Sequence, residues 1–294
     1  MGCGNIGSQY DFENEFILTH SKAIFFSNWI DSVDIFDKKI KLSKKVSSKY
    51  NFNLIKNIND VQFNNYDIVV IATPTETHFS LLNQCIKSGV KYVICEKPIS
   101  YSIQELNKIE HLIQKKDSKV FINYYRRFQK SYKELKKDIN PYLFEISSIK
   151  VTYYKGILNY ASHAIDTLNF FFGSVSKIEL KKINNKFYDY YENDPTVNAY
   201  VTFNDIDLHL NGQISNVPLF EIDIKSGDHT ILIYDLGNKA KIKRGDVIIK
   251  HYDNLLKDNM KCVYNYIQNS IYKKINNDNF RESLILNKQL INLL

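Results

Sequence analysis

Asp67-Ile68-Val69-Val70-Ile71-Ala72-Thr73-Pro74-Thr75 is the stretch on which the fold turns. Residues 67–72 form a continuous β-branched run, the mark of a strand buried on both faces. Residues 77–88 then read as a helix closed by Gly89, and residues 92–95 (YVIC) as a second buried strand. Upstream, residues 33–36 are a short strand ending at Asp37, and 38–50 a charged helix. Downstream, 103–116 is an amphipathic helix and 119–122 a further strand. Strand, helix, strand in this rhythm predicts an α/β architecture, a parallel sheet with right-handed crossovers.

The pattern changes after about residue 123. Residues 143–154 look like a strand and 163–172 like a helix. Runs of period two follow at 196–203, 206–214, 220–224 and 230–234, punctuated by Gly212, Gly227, Gly237 and Gly245. They predict an α+β domain with a large open, mainly antiparallel sheet. Helices are expected at 259–275 and 280–293. The predicted domains are therefore 1–122 and 123–294, with the helices from about 259 packing back on the first.

Composition narrows the function. With 44% hydrophobic and 24% charged residues, the 294-residue chain is neither disordered nor collagen-like. The net charge of +7 is spread over solvated lysine pairs, which fits no nucleic-acid module. Cys3, Cys85, Cys95 and Cys262 lie far apart, so neither a zinc site nor a disulfide framework is expected. The longest strongly apolar run is about seven residues, against the roughly 20 a membrane helix needs. Gly-Cys-Gly follows Met1 without a signal-peptide pattern, and a cytoplasmic protein is expected.

Gly2-Cys3-Gly4-Asn5-Ile6-Gly7 fits G-x-G-x-x-G, a tight turn that brings backbone N–H groups up to a pyrophosphate. With it, the first domain reads as a Rossmann-type doubly wound sheet. The motif lacks its leading strand, since only Met1 precedes Gly2, and a truncated first strand is expected. Asp37 is placed to accept hydrogen bonds from adenosine ribose hydroxyls and to repel a 2′-phosphate, which favours NAD over NADP. Its spacing of 30 residues from Gly7 exceeds the usual ~20, and residues 10–16 look like an insertion before a helix near 18–26. Lys38 and Lys39 could instead favour a phosphorylated ribose. Thr73-Pro74-Thr75 and Glu96-Lys97-Pro98 each follow a buried strand, at the edge where doubly wound sheets bind ligands. A strand-to-helix turn and a surface lysine are the plainer alternatives. Asn159, His163 and Asp166 are spaced i, i+4, i+7 and share one helix face, opposite Ile165, Leu168 and Phe172. The face suits acid–base work, or a merely structural histidine.

In order, GCGNIG, ILTHSKA, VVIATPTETH, LLNQCIKSGV, VICEKPIS, NYYRRF and NYASHAIDTLNFFFG resemble the Gfo/Idh/MocA oxidoreductases. The series covers most of residues 1–175. The resemblance implies NAD(P)-dependent hydride transfer at a ring carbon of a sugar or cyclitol. Lys97 and His163 match the catalytic pair, joined by Asp166. Asn159, Arg127 and Tyr124 fall on the substrate side. Gly2, Gly4, Asn5, Ile6, Gly7, Asp37, Thr73, Pro74, Thr75, His78 and Glu96 fall on the cofactor side. The family usually has Asp where this chain has Asn159. An amide takes no proton at neutral pH, though it holds a hydroxyl by hydrogen bonds.

The substrate expected is a small sugar, or a nucleotide sugar if the basic excess and Arg126-Arg127 mark an anion site. A homodimer or homotetramer is expected, with no metal. Lys97, His163 and Asp166 are expected to converge, with Lys97 and His163 within about 10 Å. A non-catalytic sugar or cofactor sensor, or an inactive remnant, is the alternative.

Overall fold

The structure is a computed structural model that describes residues 1–173, 175–257, 259–273 and 279–294. The chain divides into two compact units, residues 1–125 with 258–284, and residues 126–257 with 285–294.

In the first unit the glycine turn leads into one π-helical turn, Asn5–Gln9. Helix α1 (His20–Phe25) follows, with the Thr19 hydroxyl accepting from Lys22 N–H at its start. Strand β1 (Asp34–Ile35), helix α2 (Ile40–Tyr50) and strand β2 (Asn53–Leu54) come next. Then β3 (Ile68–Ile71), α3 (His78–Lys87), β4 (Tyr92–Cys95), α4 (Ile103–Ile113) and β5 (Lys119–Ile122) complete the predicted alternation. β3, β4 and β5 form a parallel sheet in which Ile68 pairs with Tyr92 and Tyr92 with Lys119. α4 stops at Ile113, short of 116, because Lys115-Lys116-Asp117 has no apolar face to bury.

Among the described residues β1 pairs only with β2, so the unit shows two parallel sheets where one was expected. Met1 and Gly2 stand between them. Gly2 N–H donates to Phe36 O at 2.9 Å and Ala72 N–H to Met1 O at 2.8 Å. The Met1 amino group donates to Val70 O at 2.6 Å. A cleft of about 770 Å³ opens there, lined among others by Ile24, Trp29, Val33, Ile35, Val70 and Tyr264. The expected insertion at 10–16 is organised by Asp11, fully buried, whose carboxylate accepts from Leu18 N–H at 2.6 Å and Thr19 N–H at 2.8 Å.

The second unit opens with α5 (Lys130–Ile139), β6 (Ile146–Tyr153), a π-helical turn (Ile157–Ala161) and α6 (Ser162–Phe172). Strands β7 (Ile178–Phe187), β8 (Thr196–Phe203), β9 (Ile206–Gly212), β10 (Phe220–Ser226), β11 (His229–Tyr234), β12 (Lys239–Arg244) and β13 (Val247–Tyr252) follow. They join in one eight-stranded sheet ordered β13-β12-β11-β10-β6-β9-β8-β7. All its pairs are antiparallel except β6 with β9. Alternation buries Ile222 and Ile224 of β10 while Glu221 and Lys225 face out. α6 lies against the sheet, with Phe172 edge-on to Phe203 of β8.

Helix α7 (Asn259–Tyr272) belongs to the first unit, where Met260 N–H donates to Ile17 O at 3.2 Å. Positions 274 and 275 of the helix expected over 259–275 lie outside the described residues. Helix α8 (Phe280–Asn292) ends the chain. Among the described residues no helix is long and apolar enough to cross a membrane.

Candidate functional site

The glycine turn of the first unit is shaped by contacts that differ at each glycine. Gly2 has φ +92°, and a Cβ there would meet Ala72 O at 2.3 Å. A Cβ on Gly7 would meet Gly2 O at 2.2 Å. Gly4 has nothing within 4 Å of such an atom. Packing therefore demands glycine at positions 2 and 7, while at position 4 the space is open. The N–H groups of Asn5, Ile6 and Gly7 open the helical turn there, with Asn5 exposed and Ile6 half-buried.

Asp37 closes on this turn. Its Oδ2 accepts from Cys3 N–H at 2.6 Å and its Oδ1 from Lys39 N–H at 2.7 Å. The residue stays half-buried, so a carboxylate stands beside the turn at the end of β1. Thr73, Pro74 and Thr75 follow β3 directly, and Thr77 Oγ1 lies 2.7 Å from both Thr73 Oγ1 and Pro74 O.

Two residues expected at the cofactor, His78 and Glu96, are buried and bonded within the unit. His78 is buried, with Nδ1 2.8 Å from Pro98 O and Nε2 2.8 Å from Thr73 O. It ties together the loops that leave β3 and β4. Burial pushes its pKa below the ordinary value, against the opposing pull of the two carbonyls and Glu96. Glu96 is also buried, its Oε1 accepting from Asn123 Nδ2 at 2.6 Å and lying 2.9 Å from His20 Nε2. His20 Nδ1 in turn lies 3.0 Å from the Tyr264 hydroxyl. Burial pushes the Glu96 carboxyl up, but His20, Asn123 and Lys97 outweigh it and hold the group below its ordinary value. Glu96 thus braces the end of β4, and Lys97, half-buried, comes next, joined to Pro98 by a cis peptide. Tyr124 is buried in the same unit.

The second unit holds Arg127, Asn159, His163 and Asp166. Asn159 lies in the π-helical turn and His163 one residue into α6, both 9% exposed. Asp166 is buried, and Arg127 grips it by Nε to Oδ2 at 3.1 Å and Nη2 to Oδ1 at 2.5 Å. Arg127, expected at the substrate, is therefore first of all the partner of Asp166. Arg126 is buried too, donating to Leu236 O at 2.7 Å with its guanidinium 4.0 Å from the Phe220 ring centroid. Both guanidiniums of the Arg126-Arg127 pair, read as a possible anion site, already hold partners within the unit. α6 is an apolar helix with a polar stripe, as expected, and its polar stripe is buried as well as its apolar face. The turn before it has its own support.

That support comes from Asp194, which the sequence did not single out. It is fully buried and accepts from the N–H groups of Leu158 and Asn159. His20 and Asn123, behind Glu96, were likewise missed. Among the described residues no group of three His, Cys, Asp or Glu is placed to hold a metal.

Residues 1–124 match the model of an oxidoreductase family with an NAD-binding Rossmann fold. Myo-inositol 2-dehydrogenase of Thermotoga maritima is 31% identical over 90 residues, 29% of this chain and 27% of that protein. scyllo-Inositol 2-dehydrogenase (NAD(+)) of Bacillus subtilis is 31% identical over 90 residues, 31% of this chain and 25% of that protein. The matched stretch thus spans about a quarter of the length of these curated relatives. Across both units the fold follows that of KijD10, a 3-ketoreductase from Actinomadura kijaniata solved with NADP and TDP-benzene. The TM-score is 0.81 at 11% identity, over 100% of this chain and 94% of the other.

Proposed function

We propose that the whole chain, whose residues 1–124 match the Gfo/Idh/MocA oxidoreductase model, transfers hydride between a nicotinamide cofactor and a ring carbon of a sugar or cyclitol. The glycine turn carries this reading. It is closed by backbone at Gly2 and Gly7 and open at Gly4, which is the shape a dinucleotide pyrophosphate needs. The residues fit the cofactor: Asn5 and Ile6 N–H groups for the pyrophosphate, Asp37 for the ribose, and the Thr73–Thr75 loop at the strand ends. Asp37 supports NAD over NADP.

The nicotinamide supplies or takes up the hydride. Lys97 stabilises the developing alkoxide with its ammonium. His163 takes the hydroxyl proton in the oxidative direction and returns it in reduction. Asn159 holds a substrate hydroxyl, and the Arg127–Asp166 pair steadies the helix that carries His163. A nucleotide-linked sugar is the finer reading, supported by the net charge and by the TDP-benzene bound to KijD10. A homodimer or homotetramer is supported by the exposed Val247, Ile248 and Ile249 on the edge strand β13.

The test is a fluorescence titration with NADH, then a turnover screen over cyclitols, hexoses and sugar nucleotides. Binding with turnover of at least one polyol supports the proposal. Tight NADH binding without any turnover supports a cofactor sensor instead, and absence of NADH binding overturns the oxidoreductase reading.

A further inference from the structure

Asp194 lies between β7 and β8, and its carboxylate meets the start of the His163 helix at three points. Oδ1 accepts from Leu158 N–H at 2.7 Å, and Oδ2 from Asn159 N–H at 2.8 Å. Asn159 Nδ2 donates to the same Oδ2 at 2.6 Å. The neighbours of Asp194 hold the rest of the turn, Pro195 O accepting from Ile157 N–H at 2.9 Å and Thr196 Oγ1 from Gly156 N–H at 2.9 Å. Gly156 has φ +91°, and a Cβ on it would stand 2.1 Å from Asp194 Oδ2. The turn and the carboxylate are built against each other with no room between them.

An ionised carboxylate only accepts hydrogen bonds, so of the two ends of the Asn159 amide only the NH₂ end can face it. The carbonyl end is turned away. We propose that Asp194 is a positioning residue that locks Asn159 as an amide with its oxygen pointing away from the loop, and that it excludes a carboxylate from position 159. The polar stripe of α6 then carries His163 and the Arg127-bound carboxylate of Asp166, with a hydrogen-bond acceptor one turn before His163. An Asp at 159 would set two carboxylates at hydrogen-bond distance, and such a pair cannot both ionise. The role given to the stripe rests on the function proposed above, but the lock does not.

Thermal melting of the full chain separates the two, because it needs no substrate. In Asn159→Asp the new carboxyl is protonated more readily in the folded than in the unfolded chain. Its folded pKa is raised, so stability relative to wild type is best at low pH and falls as pH climbs from about 4 through the folded value. Its Tm deficit should be larger by about 4 °C or more at about pH 8 than at about pH 5. Asn159→Leu, which adds no charge, should show a deficit independent of pH. The exchange Asn159→Asp with Asp194→Asn removes the second carboxylate, and although the backbone N–H at 159 then faces an NH₂ group, its deficit should no longer grow between about pH 5 and about pH 8. A deficit of Asn159→Asp that is flat with pH, or an exchange whose deficit grows with pH as much as the single variant's, would overturn the lock. If the lock holds and no polyol is turned over, the oxidoreductase reading alone has failed.

Discussion

Asp37 has two tasks on one side chain, and they are separable. Its oxygens hold the Cys3 and Lys39 N–H groups, and in the proposed function its charge also meets the ribose. Removing the side chain would release the turn as well as the charge. Asp37→Asn keeps an acceptor for Cys3 and discards the charge, so it should raise NADPH affinity relative to NADH by about tenfold with little change in Tm. Titration of both cofactors measures it, and an unchanged ratio would assign Asp37 to the turn alone. Lys97 and His163 make the second residue-level expectation. Each alanine variant should lower turnover by ~10²-fold or more with NADH binding intact. The double variant should lose much less than the product, as the proposed joint role of the two groups in one step requires. An active His163→Ala protein would return that histidine to a structural role.

At the scale of elements, the glycine turn separates packing from ligand contact. Gly7→Ala pushes a methyl group into Gly2 O and should lower both Tm and NADH affinity. Gly4→Ala meets nothing in the fold and should leave Tm unchanged while weakening NADH by about tenfold, because the backbone must approach the pyrophosphate there. Unchanged affinity in Gly4→Ala would move the anion site elsewhere. The His78 brace adds a pH dependence. Its folded pKa lies below the ordinary 6.5, so the folded chain binds fewer protons and stability falls as pH drops below about 6.5. His78→Gln should flatten that part of the melting curve against pH. β3, β4 and β5 were legible because strands buried on both faces must be unbroken apolar runs. β7 was not: its outward-facing Lys181-Lys182 and Asn184-Asn185 carry no apolar alternation, and only its pairing with β8 makes it a strand. Lys97 and His163 were named as candidates from motifs in their own segments. Asp194 was not, since its partner lies 35 residues away and the contact exists only once β7 and β8 have paired.

For the molecule as a whole, the cleft between β1 and β3 is the largest departure from the expected single sheet. Met1 and Gly2 already bond to both sides of it in strand fashion, and burial pulls the Met1 ammonium below its ordinary pKa. Joining about five β-branched apolar residues ahead of Met1 would turn that ammonium into a peptide N–H and fill the cleft with a parallel strand. Such an extension should raise Tm by about 5 °C or more and tighten NADH, since the glycine turn would gain a strand to hold it. An extension that leaves both unchanged would show that the cleft does not take a strand. The central claim is hydride transfer that depends on Lys97, and reduced-nicotinamide absorbance measures it directly. With NAD⁺ and a panel of cyclitols and hexoses, the unaltered chain should generate NADH from at least one polyol, and Lys97→Ala should do so ~10²-fold more slowly. NADH formation unaffected by Lys97→Ala, or none from any polyol by a chain that binds NADH, would contradict the account.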